Sequence, residues 1–529
     1  MATMDQAQLD AIRQGYTFDA PAIQLGVLME QDQPVKDIPV RMPVQMFNRH
    51  GLVAGATGTG KTITLQVMAE QLSRAGVPVF AADIKGDLSG IAAPGTPSEK
   101  LQARTDKIGQ EWTPQACPVE FFALGGQGVG VPVRATMTSF GPILLSKVLG
   151  LNSVQESSLG LVFYYADRAG LPLLDLKDLR MLLQFLVSDE GKPELKGIGG
   201  LSAATVGVIL RSLISLEEQG ADVFFGEPEF DPDDLLRVMP DGRGIVSLLE
   251  LPNLQDRPAL FSTFLMWLLA ELFQTLPEVG DADKPKLVFF FDEAHLLFKD
   301  ASKAFLDAIA QTVRLIRSKG VGVFFVTQTP KDVPEEVLAQ LGSRVQHQLR
   351  AHTPNDAKAL KATVSTYPMS GYDLGEVLQQ LGIGEAVVTV MNPKGAPTPV
   401  AWTRMFAPHS QMGPIPEESL RPGVAQSALM GKYGAQIDRD SAYEMLTRKL
   451  EAGAQAAAEA EAAKKAEAEA AARAKAEAKA EASAPRARAP RPEPGLVEQV
   501  AGSRVFKQLL NSATREIVRG LFGTARRRR

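Results

Sequence analysis

The sequence of 529 residues has few of the side chains that build disulfide and zinc sites. Its one cysteine, Cys117, excludes an intramolecular disulfide framework and a cysteine-rich zinc site, and it fits a reducing compartment. Its five histidines include no pair at positions i and i+4, so a two-histidine metal site on a helix is not expected.

Long apolar runs are missing as well. The most apolar stretch, residues 261–273, contains Glu271 and is too short to cross a bilayer, so it predicts a buried helix. The N-terminal residues have neither the basic region nor the apolar segment of a secretory signal. These absences predict a cytoplasmic protein without a transmembrane segment.

The charge is unevenly distributed. Residues 486–529 hold eleven Lys or Arg residues against three acidic ones, a balance of +8. The whole chain carries −5, which leaves −13 for the other 485 residues. An acidic body excludes the coating of nucleic acid by the whole surface, so any contact must come from local loops, a pore lining or the basic tail. A solubilising or targeting role explains the tail equally well.

Composition and turn residues divide the chain into parts. The predicted parts are a lead-in at 1–45, a globular core at 46–410, a connector at 411–450, a spacer at 451–484, and a tail at 485–529. In the spacer, 19 of 34 residues are alanine, which predicts an exposed helix. The tail combines a Pro/Arg-rich break with a basic amphipathic helix, which would dock on the body or on a partner protein.

Short apolar runs alternate with helix-period segments through the core. The predicted strands lie at 51–54, 78–82, 119–122, 244–249, 287–291, 322–326, 345–349 and 386–390. Strands that are apolar on both faces and separated by helices predict an α/β fold with a mainly parallel sheet between helices. The stretch at about 135–240 has a mainly helical pattern and predicts a helical insertion into this core.

A phosphate-binding pattern follows the first core strand. The pattern G-x-x-x-x-G-K-[ST] is made by Gly55, Ala56, Thr57, Gly58, Thr59, Gly60, Lys61 and Thr62. It lies between an apolar strand and a helix, which is the context that a phosphate loop requires. The glycines allow backbone N–H groups to turn toward a phosphate, and the helix N-terminus adds a positive dipole end. In this pattern Lys61 contacts the β- and γ-phosphates and Thr62 ligates Mg²⁺.

Polar residues end three further strands. Asp292 and Glu293 follow the strand at 287–291, where the aspartate would hold the Mg²⁺ shell and the glutamate would act as general base toward water. Because no N-K-x-D guanine motif is present, ATP is expected rather than GTP. Gln328 ends another strand and would sense the γ-phosphate or orient water, unless it is an ordinary turn residue. Asp83 and Asp87 either face the nucleotide or belong to a solvated turn.

Together these motifs resemble the HerA/FtsK class of P-loop motor ATPases, and most closely the bacterial family described as helicase HerA-like, C-terminal domain. The stretches that carry the resemblance are HGLVAGATGTGKT (50–62), DIKGDLSG (83–90), FFGEPEFD (224–231), KPKLVFFFDEAHLLF (284–298), RLIRSKGVGVFFVTQTP (314–330) and GSRVQHQLRAHTP (342–354). The resemblance covers residues 15–410. It departs from the HerA type in one respect, since only 54 residues precede Gly55, where that type carries a β-barrel domain.

The resemblance implies a RecA-like core with Glu293 as the catalytic residue and Gln328 as a sensor. It also implies a ring, a hexamer, in which an arginine of one subunit completes the site of its neighbour. Arg49 and Arg317 are the candidates by position, with Arg344 and Arg350 as further ones. Each of the four is also explained as a surface or salt-bridge arginine.

Two functions of different class remain open. The first is an ATP-hydrolysing ring motor, like a translocase or helicase, that acts on double-stranded DNA. The second is an ATP-driven switch or assembly protein that acts on protein partners without a DNA substrate. The motifs and the basic tail favour the first, whereas the acidic body favours the second. A small-molecule kinase is disfavoured because Glu293, directly after Asp292, suits attack by water.

Overall fold

The computed structural model describes residues 4–251, 258–280, 282–299 and 301–482 of the chain. The chain divides into two compact units, residues 1–453 and 454–529. The whole tail predicted at 485–529, including its basic amphipathic helix, lies outside the described residues, as do the last two residues of the predicted spacer.

Twelve strands of the described chain form one sheet. They are β1 (Ala22–Glu30), β2 (Gln33–Pro43), β3 (Gly51–Ala54), β4 (Val79–Asp83), β5 (Val119–Leu124), β6 (Val131–Val133), β7 (Val246–Glu250), β8 (Leu287–Phe291), β9 (Val321–Thr327), β10 (Ser343–Gln346), β11 (Glu385–Thr389) and β12 (Ala401–Met405). Their spatial order is β2-β1-β12-β11-β10-β3-β9-β8-β4-β7-β5-β6.

The eight strands from β10 to β6 in this order pair in parallel, as the apolar runs predicted. Strand β8 shows why both faces are apolar. Phe289 and Phe291 pack into one hydrophobic core, whereas Val288 and Phe290 pack into a second core on the opposite face. Because the strands run in one direction, their carboxyl ends meet along a single edge of the sheet.

Helices cover both faces of the sheet. They are α1 (Gln6–Gly15), α2 (Lys61–Arg74), α3 (Glu99–Ile108), α4 (Met137–Val148), α5 (Ser153–Ala169), α6 (Leu176–Val187), α7 (Ala203–Glu218), α8 (Pro258–Thr275), α9 (His295–Phe298), α10 (Lys303–Ile316), α11 (Glu335–Leu338), α12 (Pro354–Val364), α13 (Leu374–Gln380), α14 (Glu417–Ala425), α15 (Ala428–Tyr433) and α16 (Ala442–Ala482). Across the described ranges, no helix combines the length and the apolarity needed to cross a membrane.

Helices α4 to α7 occupy most of the stretch at 135–240, and their apolar sides join the core that also contains α8 and α10. The apolar stretch 261–273 lies within α8, where Phe264 and Trp267 are almost fully buried. In the predicted connector, the structure places α14, α15 and the start of α16. Leu446 of α16 is buried in the same core as α6, and the Ser441 hydroxyl bonds to the Asp178 carboxylate at the start of α6.

The lead-in differs from the sequence expectation in one respect. Two of its stretches form the antiparallel hairpin of β1 and β2, and β1 also pairs with β12, so this segment is part of the sheet. The hairpin turns at Gln31 and Asp32, which have positive φ angles of 48° and 60°. Such turns are usually signalled by Asn-Gly or Asp-Gly, and this pair carries neither signal. Strands β1, β2, β6 and β12 were not in the predicted set.

Candidate functional site at the carboxyl edge of the sheet

The sheet order brings the predicted motifs together. Strand β9 lies between β3, which leads into the phosphate loop, and β8, which leads into Asp292 and Glu293. Gln328 follows β9 directly, and β4 lies on the other side of β8. The phosphate loop, the acidic pair and Gln328 therefore share one edge of the sheet, although up to 273 residues separate them along the chain.

The phosphate loop has the backbone that its glycines permit. Gly58 and Gly60 have φ angles of 81° and 110°, in the region that favours glycine. Gly60 immediately precedes α2, so the first N–H groups of this helix point toward the loop. The loop is held in place by the Gly55 N–H, which donates to Thr327 O at 3.2 Å, and by the Ala56 N–H, which donates to Gln348 O at 2.8 Å.

Lys61 lies inside the loop. Its side chain is buried, and Nζ donates to the Ala56 carbonyl oxygen at 3.3 Å. Burial lowers the pKa of Lys61, while the nearby Glu293 carboxylate opposes that shift. The ammonium group is thus directed into the concave side of the phosphate loop, where it can bind an anion in place of the carbonyl oxygen.

His347, which the sequence did not indicate as a site residue, supports the phosphate loop. His347 is fully buried, and its backbone N–H donates to Ala54 O at 2.7 Å. Its Nδ1 lies 2.8 Å from Glu385 O, and its Nε2 lies 2.9 Å from the Thr64 hydroxyl of α2. Because a carbonyl oxygen only accepts, Nδ1 carries the proton and Nε2 accepts from Thr64. Burial lowers the pKa of His347 to about 4, so the ring is neutral.

Asp292 has the features expected of a ligand to a hydrated cation. It is 1% exposed, and its Oδ1 accepts the Glu293 N–H at 2.8 Å. Its Oδ2 is buried and has no hydrogen-bond partner among the described residues. Burial raises the pKa of Asp292 to about 7, with a further contribution from Glu293. A divalent cation would satisfy the unpaired oxygen and hold the carboxylate ionised.

Magnesium fits this donor set. No group of three or more His, Cys, Asp or Glu side chains in the described ranges is arranged to hold a metal by itself. The ion bound with a nucleotide needs few protein ligands, because phosphates and water supply the others. Thr62 lies on the first turn of α2 and near Asp87, so its hydroxyl is close to the acidic side of the site.

Glu293 is held in an unusual conformation. Its φ angle is 47°, in the left-handed region that non-glycine residues adopt rarely, in turns and at functional sites. Its side chain is 5% exposed, with Oε1 in contact with Lys85 Nζ and Oε2 at 3.1 Å from His295 Nδ1. That second approach does not have hydrogen-bond geometry. Burial acts to raise the pKa of Glu293, but the Lys85 ammonium outweighs it and the pKa is lowered.

Asp83 and Asp87 have different roles, which the sequence left open. Asp83 is fully buried, and its two oxygens accept N–H groups of Gly86 and Leu88, both at 2.7 Å. It therefore shapes the loop after β4. Asp87 lies in that loop near Thr62 and Lys85, and burial raises its pKa. Glu250, at the end of β7, is close to both aspartates and was also missed; burial raises its pKa to about 8.

Gln328 is exposed and lines a cavity of about 260 Å³ beside the phosphate loop. Thr57 of the loop and Arg350 line the same cavity. Arg344 is engaged elsewhere, since it donates to the Thr366 hydroxyl and lies over the ring of Tyr367 at 5.8 Å.

Arg49 and Arg317 lie at the other edge of the sheet. They precede β3 and β9. Burial lowers the pKa of His50, and the charges of Arg317 and Arg49 add to this shift. The seven residues of β9 separate the two edges by roughly 23 Å. Neither arginine can therefore contact a phosphate bound in the loop of its own subunit.

Comparison with known sequences gives a family match over most of the chain. A family profile described as "Helicase HerA-like C-terminal" matches residues 28–529. The "Probable helicase MJECL08" of Methanocaldococcus jannaschii is 31% identical over 153 residues, which are 27% of this chain and 28% of that protein. The "DNA double-strand break repair helicase HerA" of Saccharolobus solfataricus is 21% identical over 356 residues, 67% of this chain and 64% of that protein. The chain thus spans less than two thirds of the length of either relative.

Solved structures show the same fold. The unbound "Bacterial conjugative coupling protein TrwBdeltaN70" superposes with a TM-score of 0.50 at 16% identity, covering 75% of this chain and 92% of that one. The "Plasmid coupling protein TrwB in complex with ADP and Mg2+" gives the same TM-score and identity, covering 76% and 94%. At this identity the likeness shows the fold alone. It confirms the predicted α/β class with a RecA-like P-loop core.

Proposed function

Because this chain belongs to the Helicase HerA-like C-terminal family, we propose that it is an ATP-hydrolysing ring motor that acts on double-stranded DNA. The observation that carries the proposal is the single sheet edge that holds the phosphate loop, Asp292, Glu293 and Gln328 together. We also propose a cytoplasmic location, because a chain with a single cysteine fits a reducing compartment.

In this proposal the chemistry is hydrolysis of ATP to ADP and phosphate. Lys61 and the N–H groups of the loop bind the β- and γ-phosphates, while Thr62 and Asp292 would hold Mg²⁺, which neutralises charge on the phosphates. The Glu293 carboxylate accepts a proton from water as the water oxygen bonds to the γ-phosphorus. The bond between that phosphorus and the β–γ bridging oxygen breaks, and ADP leaves with the electron pair. Gln328, on the exposed side, orients the water.

The ring is proposed from the placement of the arginines. A charge that must reach the γ-phosphate cannot come from Arg49 or Arg317 of the same subunit, because the sheet lies between them and the loop. In a ring, the amino edge of one subunit can face the carboxyl edge of the next, and a hexamer is the size that the family resemblance implies. An arginine supplied in this way stabilises charge that develops on the transferred phosphoryl group.

We propose DNA as the substrate because a relative, the "DNA double-strand break repair helicase HerA", is described as acting in DNA repair. The −13 charge of residues 1–485 restricts the contact to local basic loops or to the basic residues 486–529. The same charge favours the second candidate, a switch or assembly ATPase that acts on protein partners through that tail.

Steady-state ATP hydrolysis at low salt, with and without double-stranded DNA, separates the two candidates. Low salt is needed because contacts to DNA phosphates weaken steeply as salt rises. We expect DNA to stimulate turnover, Glu293→Gln to bind ATP without hydrolysing it, and Lys61→Ala to lose nucleotide binding. Turnover that ignores DNA at every salt concentration would refute the DNA motor and favour the protein-directed ATPase.

The ring is tested separately by light scattering with and without a non-hydrolysable ATP analogue. We expect a mass near six subunits with the analogue. In a mixture of Arg317→Ala and Glu293→Gln chains, an arginine that acts across the interface restores some turnover, because intact sites form at mixed interfaces. A mixture as inactive as each variant alone would remove Arg317 from the site.

A further inference from the structure

Lys85 occupies a position between the general base and the opening of the site. It lies in the loop after β4, which the buried Asp83 fixes through the N–H groups of Gly86 and Leu88. Because β4 pairs with β8, this loop lies beside Glu293. The Lys85 side chain is 36% exposed, whereas that of Glu293 is 5% exposed. Lys85 therefore reaches Glu293 from the solvent side and covers it.

The two lysines of the site lie at neighbouring strand ends. Lys85 Nζ contacts Glu293 Oε1 after β8, and Lys61 Nζ lies inside the phosphate loop after β3. Only β9 lies between β3 and β8, so these two strand ends are roughly 10 Å apart. Lys61 is the group that the phosphate-loop pattern directs to the β- and γ-phosphates. The ammonium group of Lys85, on a flexible side chain beside Glu293, is therefore within range of the terminal phosphate.

We infer that Lys85 is a contact for the γ-phosphate, and that it exchanges the Glu293 carboxylate for this phosphate when ATP binds. The inference rests on the proposed function, because it needs ATP in the phosphate loop. It assigns Lys85 a role in specificity: the residue favours a nucleoside triphosphate over a diphosphate. It also gives Glu293 two states, one paired with Lys85 and one free to accept a proton from water.

The exchange has a simple electrostatic basis. Glu293 offers one negative charge, whereas a terminal phosphate carries about −1.5 to −2 and three acceptor oxygens. The lysine side chain has several rotatable bonds, so it can turn to the phosphate while the loop after β4 stays fixed. Glu293 keeps its backbone conformation, since the Asp292 carboxylate accepts its N–H. ADP has no γ-phosphate and leaves the pair intact.

Equilibrium binding of ADP and of a non-hydrolysable ATP analogue, both with Mg²⁺, tests the inference on the full chain. For Lys85→Met we expect the analogue to bind about 10- to 100-fold more weakly, the range of one charge-assisted hydrogen bond, with ADP affinity unchanged. Lys85→Arg should restore most of the loss. Lys177→Met, which removes a lysine paired with Asp175 and Glu444 in the helical insertion, is the matched control and should change neither affinity.

A second variant gives the opposite sign. Glu293→Gln removes the charge that competes for Lys85, so the analogue should bind more tightly than to the unmodified chain. This gain should disappear in the double variant Lys85→Met/Glu293→Gln. A purely structural role of Lys85 would weaken ADP and the analogue equally, and additive effects in the double variant would show that the residues do not compete. Either result overturns the inference.

The outcomes for the inference and for the proposed function are distinguishable. If the unmodified chain hydrolyses ATP with DNA stimulation while Lys85→Met keeps the unmodified preference for the analogue over ADP, only the inference fails. If DNA has no effect but Lys85→Met selectively loses the analogue, the DNA motor fails and the role of Lys85 stands. A chain that binds neither nucleotide refutes both.

Discussion

Replacing His347 by asparagine tests how the phosphate loop is supported. The ring donates to Glu385 O and accepts from the Thr64 hydroxyl, which is 1% exposed. An asparagine amide can keep the donation but is too short to reach α2, so the Thr64 hydroxyl loses its acceptor. We expect a loss of about 1–3 kcal/mol in the free energy of unfolding at neutral pH, the cost of an unsatisfied buried group.

The pH dependence makes this prediction specific. Burial lowers the pKa of His347 from 6.5 to about 4 in the folded protein. Between these two pH values the unfolded state therefore binds more protons than the folded state. The contribution of the neutral His347 ring to the free energy of unfolding is fully present above pH 6.5 and is lost as the pH falls toward 4. Between pH 7.5 and 5.0 this single group removes about 2 kcal/mol from the free energy of unfolding.

Urea unfolding followed by tryptophan fluorescence at pH 7.5 and 5.0 measures both effects. The His347→Asn variant, which cannot titrate at this position, should lose about 2 kcal/mol less than the unmodified chain between the two pH values. His352→Asn, at an exposed position, is the control and should follow the unmodified chain. An equal pH dependence in His347→Asn and the unmodified chain would refute the assignment of a buried, neutral ring.

Three further outcomes are expected. Asp292→Asn should retain nucleotide binding without Mg²⁺ but lose most of the gain in affinity that Mg²⁺ confers, as titration with and without a chelator would show. Gly55 has a φ of 156°, and the Cβ of an alanine there would lie 2.5 Å from the Cβ of His347. Because the phosphate loop would have to shift, we expect calorimetry of Gly55→Ala to find nucleotide affinity reduced about 10-fold or more. Truncation after Gly453 should leave the melting temperature unchanged, whereas truncation after Gly434 removes the buried Leu446 and should lower it.

The sequence was most informative where one local pattern determines one element. The apolar run 287–291 coincides with β8, and the phosphate-loop pattern lies between a strand and a helix as predicted. Both depend on neighbours in the chain: apolar side chains on two faces, and glycines where the backbone must turn. The alternation of such runs with helices was sufficient to predict the fold class and, through the combined motifs, the family.

The partners of the site residues could not be predicted in the same way. Lys85 meets Glu293 because β4 pairs with β8, and His347 lies under the phosphate loop because β10 pairs with β3. Neither pairing can be predicted from the local sequence, because the paired strands are far apart in the chain and a single lysine or histidine does not indicate its partner. The hairpin of β1 and β2 was missed for a related reason, since its place in the sheet depends on β12.

The position of β3 in the sheet also has a consequence for synthesis of the chain on the ribosome. Its two neighbours, β9 and β10, begin at Val321 and Ser343, about 270 and 290 residues after Gly51. At about 5–20 residues per second, the phosphate-loop strand waits on the order of tens of seconds before either neighbour has been translated. During that interval four apolar residues that are buried in the finished sheet have no strand to pair with. Chaperones that hold nascent chains are therefore expected to protect this segment, and the nascent chain can bind nucleotide only after residue 346, the end of β10, has been translated.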